Sequence, residues 1–249
     1  MFDSTALLQR RFAALRTYAE FFSLRHVRQS SQHLAVRKNI AEPPSLSSDE
    51  GVMITVRVNG VEAYAATGNL SQTGLQQALE RAESQARGIS PHALLDLREQ
   101  PVADARFDYL SPDLQQPFPN LADCYQLLAD ESARVPDDPR LVSWYAGLGI
   151  TDVEQIYLNS AGAQIRQAQR FVFPGLSVTA FDGSDSQTRS LGRDNFGQQG
   201  GVDVIERCGI VGAGRQVADQ ALQLLLAPNA PQGPRDLLLT PDQMMLQIH

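Results

Sequence analysis

Two adjoining runs of alternating residues decide the fold class: Gly51-Val-Met-Ile-Thr-Val-Arg-Val-Asn-Gly60 and Val61-Glu-Ala-Tyr-Ala-Ala66. Apolar and polar side chains alternate in both, which is the two-residue period of a half-buried β-strand. Asn59-Gly60 joins the runs, and these residue types tolerate the positive φ angles of a type I′ turn. The sequence therefore predicts a β-hairpin, with Ile54, Val56 and Val58 on one face.

Amphipathic helices are predicted on both sides of this hairpin. An apolar stripe at three- and four-residue steps runs through residues 4–22 and predicts an opening helix. Ser71 is a good N-cap for a second helix that extends to about Arg87. A third helix is predicted from Leu121 to about Val135, and a last full helix from about Val204 to Leu226.

The remaining segments favour strands or loops. Residues 23–40 predict two short strands around a polar turn at 29–32, residues 140–180 are rich in strand formers, and residues 235–240 predict one more strand. Five prolines between residues 88 and 120 predict a long surface excursion. Because helices and strands are grouped rather than alternating, the fold class is α+β: a mainly antiparallel or mixed sheet with helices packed on one face.

Composition excludes several classes of function. The net charge of -7 and the scattered basic residues argue against a nucleic-acid partner, because phosphate binding needs clustered lysines and arginines. No apolar run approaches the ~20 residues of a membrane-spanning helix. Cys124 and Cys208 are far apart and no signal peptide precedes them, so we expect a reduced, cytoplasmic protein without a membrane anchor.

Few residues suggest chemistry by their spacing. Gly209-Ile-Val-Gly-Ala-Gly214 does not have the spacing of a nucleotide-binding loop, and a close helix contact explains its small residues better. His26 and His33 are seven residues apart, an odd spacing that places them on opposite faces of a strand, and we expect surface or capping roles. Arg193, in a glycine-rich loop, is a candidate substrate-binding residue for a carboxylate.

The last ten residues, Thr240 to His249, begin a helix without ending it. Thr240 is an N-cap, Pro241 fits the first helical position, and Gln243 completes a capping box. No glycine, asparagine or proline follows to stop the helix, so we expect the chain to be truncated within it. A histidine such as His249 on a helix is a common first ligand in metal-dependent hydrolases.

These features together resemble the N-terminal part of the TldD/PmbA family, zinc metallopeptidases once described as modulators of DNA gyrase. The resemblance rests on the order of its motifs: the hairpin, Ala65-Ala-Thr-Gly-Asn-Leu-Ser71 with its helix, Leu158-Asn-Ser-Ala-Gly162, Gly192-Arg193, Gly200-Gly201, and the proline-rich segment that follows the last full helix, with Pro228, Pro231 and Pro234. In the catalytic branch of the family, the next helix carries His-Glu-x-x-x-His, and His249 aligns with its first histidine.

The resemblance implies a division of the chain and a chemistry. Residues 1–235 would form the N-terminal α/β domain that frames a peptide chamber, and residues 236–249 the start of the C-terminal metallopeptidase domain. His249 would be the first zinc ligand, while the catalytic glutamate and the other ligands would lie beyond the chain end. The 249 residues alone would therefore be inactive and hold no zinc firmly. Homodimers or heterodimers with a family member, acting on small or unfolded peptides, are implied as well.

Two other interpretations stay open at this point. The chain could belong to a non-catalytic TldE/PmbA-like partner or scaffold subunit, whose helix lacks the metal motif. It could also be an unrelated, complete α+β binding domain that ends at His249. The residues that follow His249 in the reading frame would separate these interpretations.

Overall fold

The computed structural model describes residues 2–102, 104–192 and 197–248, which form six α-helices and nine β-strands. The helices are α1 (Phe2–Ala13), α2 (Gln72–Ile89), α3 (Leu121–Ala133), α4 (Val202–Cys208), α5 (Gly214–Leu225) and α6 (Pro241–Ile248). The strands are β1 (Phe21–Arg37), β2 (Ile40–Ala41), β3 (Ser45–Val58), β4 (Val61–Thr67), β5 (Arg106–Leu110), β6 (Leu141–Asn159), β7 (Gln164–Phe181), β8 (Ser186–Gly192) and β9 (Gln198–Gln199).

The chain is divided into two compact units, and the long strands β1, β6 and β7 contribute residues to both. Unit 1 comprises the described residues of Met1–Ser31, Leu46–Pro117 and Thr151–Arg170. Unit 2 comprises those of Gln32–Ser45, Phe118–Ile150 and Phe171–His249. Each unit has its own cluster of buried apolar side chains.

Unit 1 is a mixed sheet in the order β4-β3-β1-β6-β7-β5, with α1 and α2 contributing to its core. Helix α2 packs against β4, and the hydroxyl of Ser71 caps it by accepting a hydrogen bond from the N–H of Gly74 at 3.1 Å. Strand β5 pairs with β7 in parallel, whereas β3 and β4 are antiparallel. The fully buried side chains at the centre of this core include Leu24, Ile54, Val56, Leu75 and Leu79.

Unit 2 builds its sheet on the other parts of the long strands. Strand β2 pairs with the end of β1, and β8 and β9 pair with β7, all antiparallel. Side chains from α3, α4 and α5 fill the core together with those of the strands. The largest fully buried side chains of this unit include Leu34, Leu128, Leu148, Leu176 and Ile210.

The structure confirms the α+β class with a mixed, mainly antiparallel sheet. The predicted hairpin is β3–β4, in which Val58 faces Val61 across the turn. Asn59 and Gly60 have φ angles of 53° and 74°, as a type I′ turn requires. No helix among residues 2–102, 104–192 and 197–248 is long and apolar enough to cross a membrane.

The opening helix is shorter than predicted. After its end, a side chain from α2 bonds the backbone groups that would otherwise form helical hydrogen bonds. Helix α1 ends at Ala13, although the apolar period continues to Phe22. Beyond it, the amide of Gln76 in α2 accepts from the N–H of Arg16 at 3.1 Å and donates to its carbonyl at 2.9 Å. The backbone N–H and carbonyl of Arg16 therefore have hydrogen-bond partners outside a helix, and a residue distant in sequence supplies both.

Three other segments differ from the prediction. Residues 23–40 do not form two short strands: β1 runs unbroken through the polar residues 29–32, and Ser31 and Thr151 share a hydrogen bond of 3.1 Å. The last full helix is split into α4 and α5, since Gly209 ends α4 with a φ of 71°. The excursion contains the unexpected strand β5, whereas residues 235–240 form no strand.

Candidate functional site

Both predicted site residues, His249 and Arg193, lie outside the described residues. The structure therefore places neither the candidate zinc ligand nor the candidate carboxylate ligand. The candidate chemistry within the described residues rests on three histidines, two cysteines and several clusters of paired charges.

His26 is buried in unit 1, not on the surface as the sequence suggested. The residue is only 3% exposed, because its side chain lies on the same face of β1 as that of the core residue Leu24. Its Nε2 lies 2.8 Å from Oε1 of Glu50 on β3, and its Nδ1 is buried without a hydrogen-bond partner among the described residues. Among the described residues, Glu50 is therefore the one side chain that forms a hydrogen bond with the His26 imidazole.

The other two described histidines also belong to no group of three potential metal ligands among the described residues. His33 lies in unit 2, where its Nε2 is 2.7 Å from the hydroxyl of Tyr145 and its ring stacks on the tyrosine at 6.2 Å. His92 is exposed in a short 3-10 helix, Ser90–His92.

Both cysteines are free thiols, as the sequence indicated, and both are buried. Burial raises the pKa of Cys124 on α3, and it raises the pKa of Cys208 on α4 to about 11. The neutral thiol is favoured in both cases, whereas a metal ligand or a nucleophile must be a thiolate. These side chains therefore act as small apolar core residues in unit 2.

The half-buried charges of unit 1 are already paired with one another. Arg170 on β7 holds Asp152 with two hydrogen bonds of 2.7 and 2.8 Å, and this bonding raises the pKa of the guanidinium. Arg166 binds Glu154 at 2.7 Å and lies 3.6 Å from Asp108 of β5. The carboxylates at the β5–β6–β7 end of the sheet are therefore neutralised by arginines.

The donor set of the described residues does not fit a zinc ion. Zinc in a hydrolase takes three protein ligands from histidine, cysteine and acidic side chains. Within residues 2–102, 104–192 and 197–248, no group of three such side chains is close enough to hold a metal.

Glu131 is a buried carboxylate that sequence reasoning missed. It lies on α3, is 3% exposed, and its two oxygens accept the N–H groups of Gly212 at 2.6 Å and Gly214 at 3.1 Å. A Cβ on Gly214 would approach the carbonyl oxygen of Glu131 to 2.2 Å. Gly214 is thus a close helix contact, as the sequence indicated, whereas a Cβ on Gly209 or Gly212 would meet no atom within 4 Å. The N–H of Gly214, the first residue of α5, is held by a side chain about eighty positions away.

Three solved structures have a fold similar to that of this chain. The fold matches a candidate modulator of a DNA gyrase from Thermotoga maritima, with a TM-score of 0.62, 14% identity, and coverage of 94% of this chain and 50% of that one. A similar protein from Bacteroides thetaiotaomicron gives a TM-score of 0.62 at 14% identity, covering 91% and 50%. TldE from Thermococcus kodakarensis gives 0.52 at 16% identity, covering 87% and 46%.

Sequence comparison points to the same class, that of metallopeptidase-like proteins. The chain is 34% identical over 93 residues to a metalloprotease from Methanothermobacter thermautotrophicus, which covers 37% of this chain and 20% of that protein. Residues 22–86 match the PmbA/TldA metallopeptidase domain 1, and residues 114–225 match the PmbA/TldA metallopeptidase central domain. These matches cover more than half of the chain, which belongs to the PmbA/TldD family. It spans about half the length of the solved relatives.

Proposed function

We propose that these 249 residues are the scaffold part of a longer, zinc-dependent peptidase of the PmbA/TldD family. The observation that carries this proposal is the match of residues 22–86 and 114–225, in that order, to the first and central domains of the family's metallopeptidases. Residues 1–235 would form the N-terminal α/β region. Residues 236–249 would begin the C-terminal metallopeptidase domain.

The scaffold would frame the substrate chamber and bind small or unfolded peptides along a sheet edge. Strand β5 supports this role in unit 1: β7 pairs with one of its edges, and no further strand among the described residues pairs with the other. Phe107 and Leu110 of β5 are 50% and 36% exposed. An extended peptide could add to this edge through main-chain hydrogen bonds, with apolar side chains against these two residues.

The metal would be held largely by residues outside the described part of the chain, where His249 is our predicted first zinc ligand. A glutamate directly after it would serve as the general base, and Arg193 would bind a substrate carboxylate. The described histidines and cysteines do not fit zinc, so we assign them no step of the reaction. The 249 residues alone are expected to be inactive.

The partner would be a second family member, in a homodimer or heterodimer, and we expect no nucleic-acid contact. We also expect a cytoplasmic location, since both cysteines are free thiols. The alternative function, a non-catalytic partner subunit, differs at one place in the sequence. It predicts that no His-Glu-x-x-x-His motif begins at His249.

A peptidase assay on two proteins tests the proposal: residues 1–249, and the product of the whole reading frame. With an unfolded fluorogenic peptide, we expect cleavage by the longer protein, loss of cleavage with a chelator, and recovery with zinc. Residues 1–249 should cleave nothing. Chelator-sensitive cleavage by the short chain, or a longer protein that is inactive with zinc and its partner, would contradict the proposal.

A further inference from the structure

A groove runs along helix α3 in unit 2, between this helix and α4. Its main part is a cavity of about 510 Å³, and a second cavity of about 340 Å³ continues it along α3. The two cavities share Asp123, Leu127 and Val211. All of the lining residues belong to unit 2, so the groove depends on the structure of this unit alone.

Much of the lining of the groove is apolar. Leu148 of β6 and Ile205 of α4 are buried at its floor, and Leu127 of α3 is half-buried. Val202 and Val211 are 37% and 56% exposed, although valine is more often buried in a folded protein. These side chains together present apolar surface to solvent at one concave site, which is typical of a surface that binds a partner.

The wall that contains Val211 is fixed in place by the buried carboxylate of Glu131. This carboxylate accepts hydrogen bonds from the N–H groups of Gly212 at 2.6 Å and Gly214 at 3.1 Å. Both bonds hold the connection between α4 and α5 against α3, and Val211 lies in this connection. The groove is therefore already formed without a ligand, which lowers the entropic cost of binding.

Acidic side chains line the groove on both of its walls. Asp123 is four residues before Leu127 on α3, and residues at this spacing share one face of a helix. Glu206 is four residues after Val202 on α4 and shares a face with it for the same reason. Both acidic residues are exposed. A ligand in the groove would therefore meet apolar side chains and carboxylates together.

The charge of the groove is negative. Among the described residues, no cationic side chain forms an ion pair with Asp123, Asp130 or Glu206. Arg134 is the one cation that the described lining contains, and it is used by Glu131 at 3.3 Å. The unpaired carboxylates attract a positively charged ligand and repel a negatively charged one.

We propose that this groove binds an amphipathic helix of a partner protein, with leucine-like side chains on its floor and arginines or lysines beside Asp123 and Glu206. The described strand that reaches the groove, β6, has a neighbouring strand on each side, so a ligand strand cannot add there. Recognition therefore depends on side chains, as when a helix binds in a groove. An arginine can lay its aliphatic part on apolar surface while its guanidinium binds a carboxylate. The inference concerns unit 2 alone and does not depend on the peptidase proposal.

Fluorescence anisotropy with the whole chain tests the groove with three labelled, alanine-based helical peptides. The basic probe carries leucines at helical spacing on one face, with arginines beside them. In the second peptide glutamates replace the arginines, and in the third alanines replace the leucines. We expect the basic probe to bind with a Kd of about 100 μM or tighter, and each altered peptide at least tenfold more weakly. Added salt should weaken the binding of the basic probe, because it screens the exposed carboxylates.

Variants of the chain test the two parts of the site separately. The double variant Asp123→Asn, Glu206→Gln removes two charges with little change of shape, and it should weaken binding of the basic probe at least tenfold. Its control is Asp219→Asn, which removes an exposed carboxylate of α5 outside the lining. Val211→Arg should abolish binding, whereas Val142→Arg, at a valine of β6 that is 41% exposed, should bind normally. All of these positions are exposed, so we expect the variants to fold.

Four results would overturn the proposal. The first is equal affinity for the basic probe and either altered peptide. The second is unchanged affinity for the basic probe in the double variant or in Val211→Arg. The third is no change of anisotropy with the basic probe at chain concentrations up to about 1 mM. The fourth, from sedimentation analysis, is a dimer of the chain that Val211→Arg dissociates, because a second copy would then occupy the groove.

Discussion

Removal of the buried carboxylate of Glu131 on α3 should destabilise unit 2. In Glu131→Ala, the N–H groups of Gly212 and Gly214 lose their acceptors. A buried donor without a partner costs about 1–3 kcal/mol. The N–H of Gly214 is buried, whereas water can reach that of Gly212, so we expect a total loss of about 2–4 kcal/mol.

Trp144 provides the assay, because it is the chain's single tryptophan and it lies in unit 2. Its indole N–H donates to the hydroxyl of Ser132, the residue after Glu131, at 3.0 Å. Guanidinium unfolding followed by tryptophan fluorescence therefore reports on the part of the molecule that the variant weakens. Glu131→Gln keeps one acceptor oxygen and should lose about half as much free energy as Glu131→Ala.

Asp130→Ala is the matched control for this prediction. Asp130 is the neighbouring acidic residue on α3, is exposed, and accepts one hydrogen bond from Gln126 at 2.7 Å. Its removal should change the free energy of unfolding by no more than about 0.5 kcal/mol. The reasoning is refuted if Glu131→Ala costs less than about 1 kcal/mol, or if Asp130→Ala costs as much.

Three further predictions concern single residues. Gly192→Ala should cost about 2–4 kcal/mol in the same unfolding assay, because φ is 74° and a Cβ would lie 2.2 Å from the carbonyl oxygen of Pro174; a loss under about 1 kcal/mol would contradict it. The raised pKa of Cys208, about 11, favours the folded state below the unfolded pKa near 9, so stability should fall between about pH 9 and pH 11, and Cys208→Ala should remove that slope. Hydrogen bonds from Arg140 lower the pKa of Asp138 to about 2; NMR titration should show this value, and Arg140→Ala should return the pKa towards 3.8.

Local signals in the sequence predicted the elements whose structure is determined by their own residues. The β3–β4 hairpin follows from the alternation around Asn59-Gly60, and α2 follows from Ser71 and its apolar stripe. The prediction failed where distant residues decide the conformation. Gln76 ends the helical pattern at Arg16, and no property of the residues near Arg16 announces this.

The break between α4 and α5 has a local sequence signal, the glycine at position 209. The small residues of 209–214 predict a close helix contact, but Gly209 is the left-handed residue that ends α4. The polar residues of β1 at 29–32 resembled a turn because both faces of a strand can be polar where no core covers them.

For the candidate sites as well, some contacts follow from the local sequence and others depend on distant residues. The pairing of Arg57 with Glu62 follows from the hairpin register, since these residues are directly opposed. The approach of Asp96 and Arg98 to Gly60 of the same hairpin depends on a chain segment far away in sequence. The burial of His26 depends on the unbroken strand β1, which places it beside Leu24 on the core face; two short strands with a polar turn do not predict this position.

Zinc analysis by mass spectrometry tests the central claim that the scaffold belongs to a zinc enzyme whose first ligand is His249. Four samples are needed: residues 1–249, the product of the whole reading frame, and that product with His249→Ala or with His92→Ala. The account predicts no stoichiometric zinc in the short chain, and one zinc ion in the long protein that is lost with His249→Ala and kept with His92→Ala. Stoichiometric zinc in residues 1–249, or zinc retained by the His249→Ala protein, would contradict it.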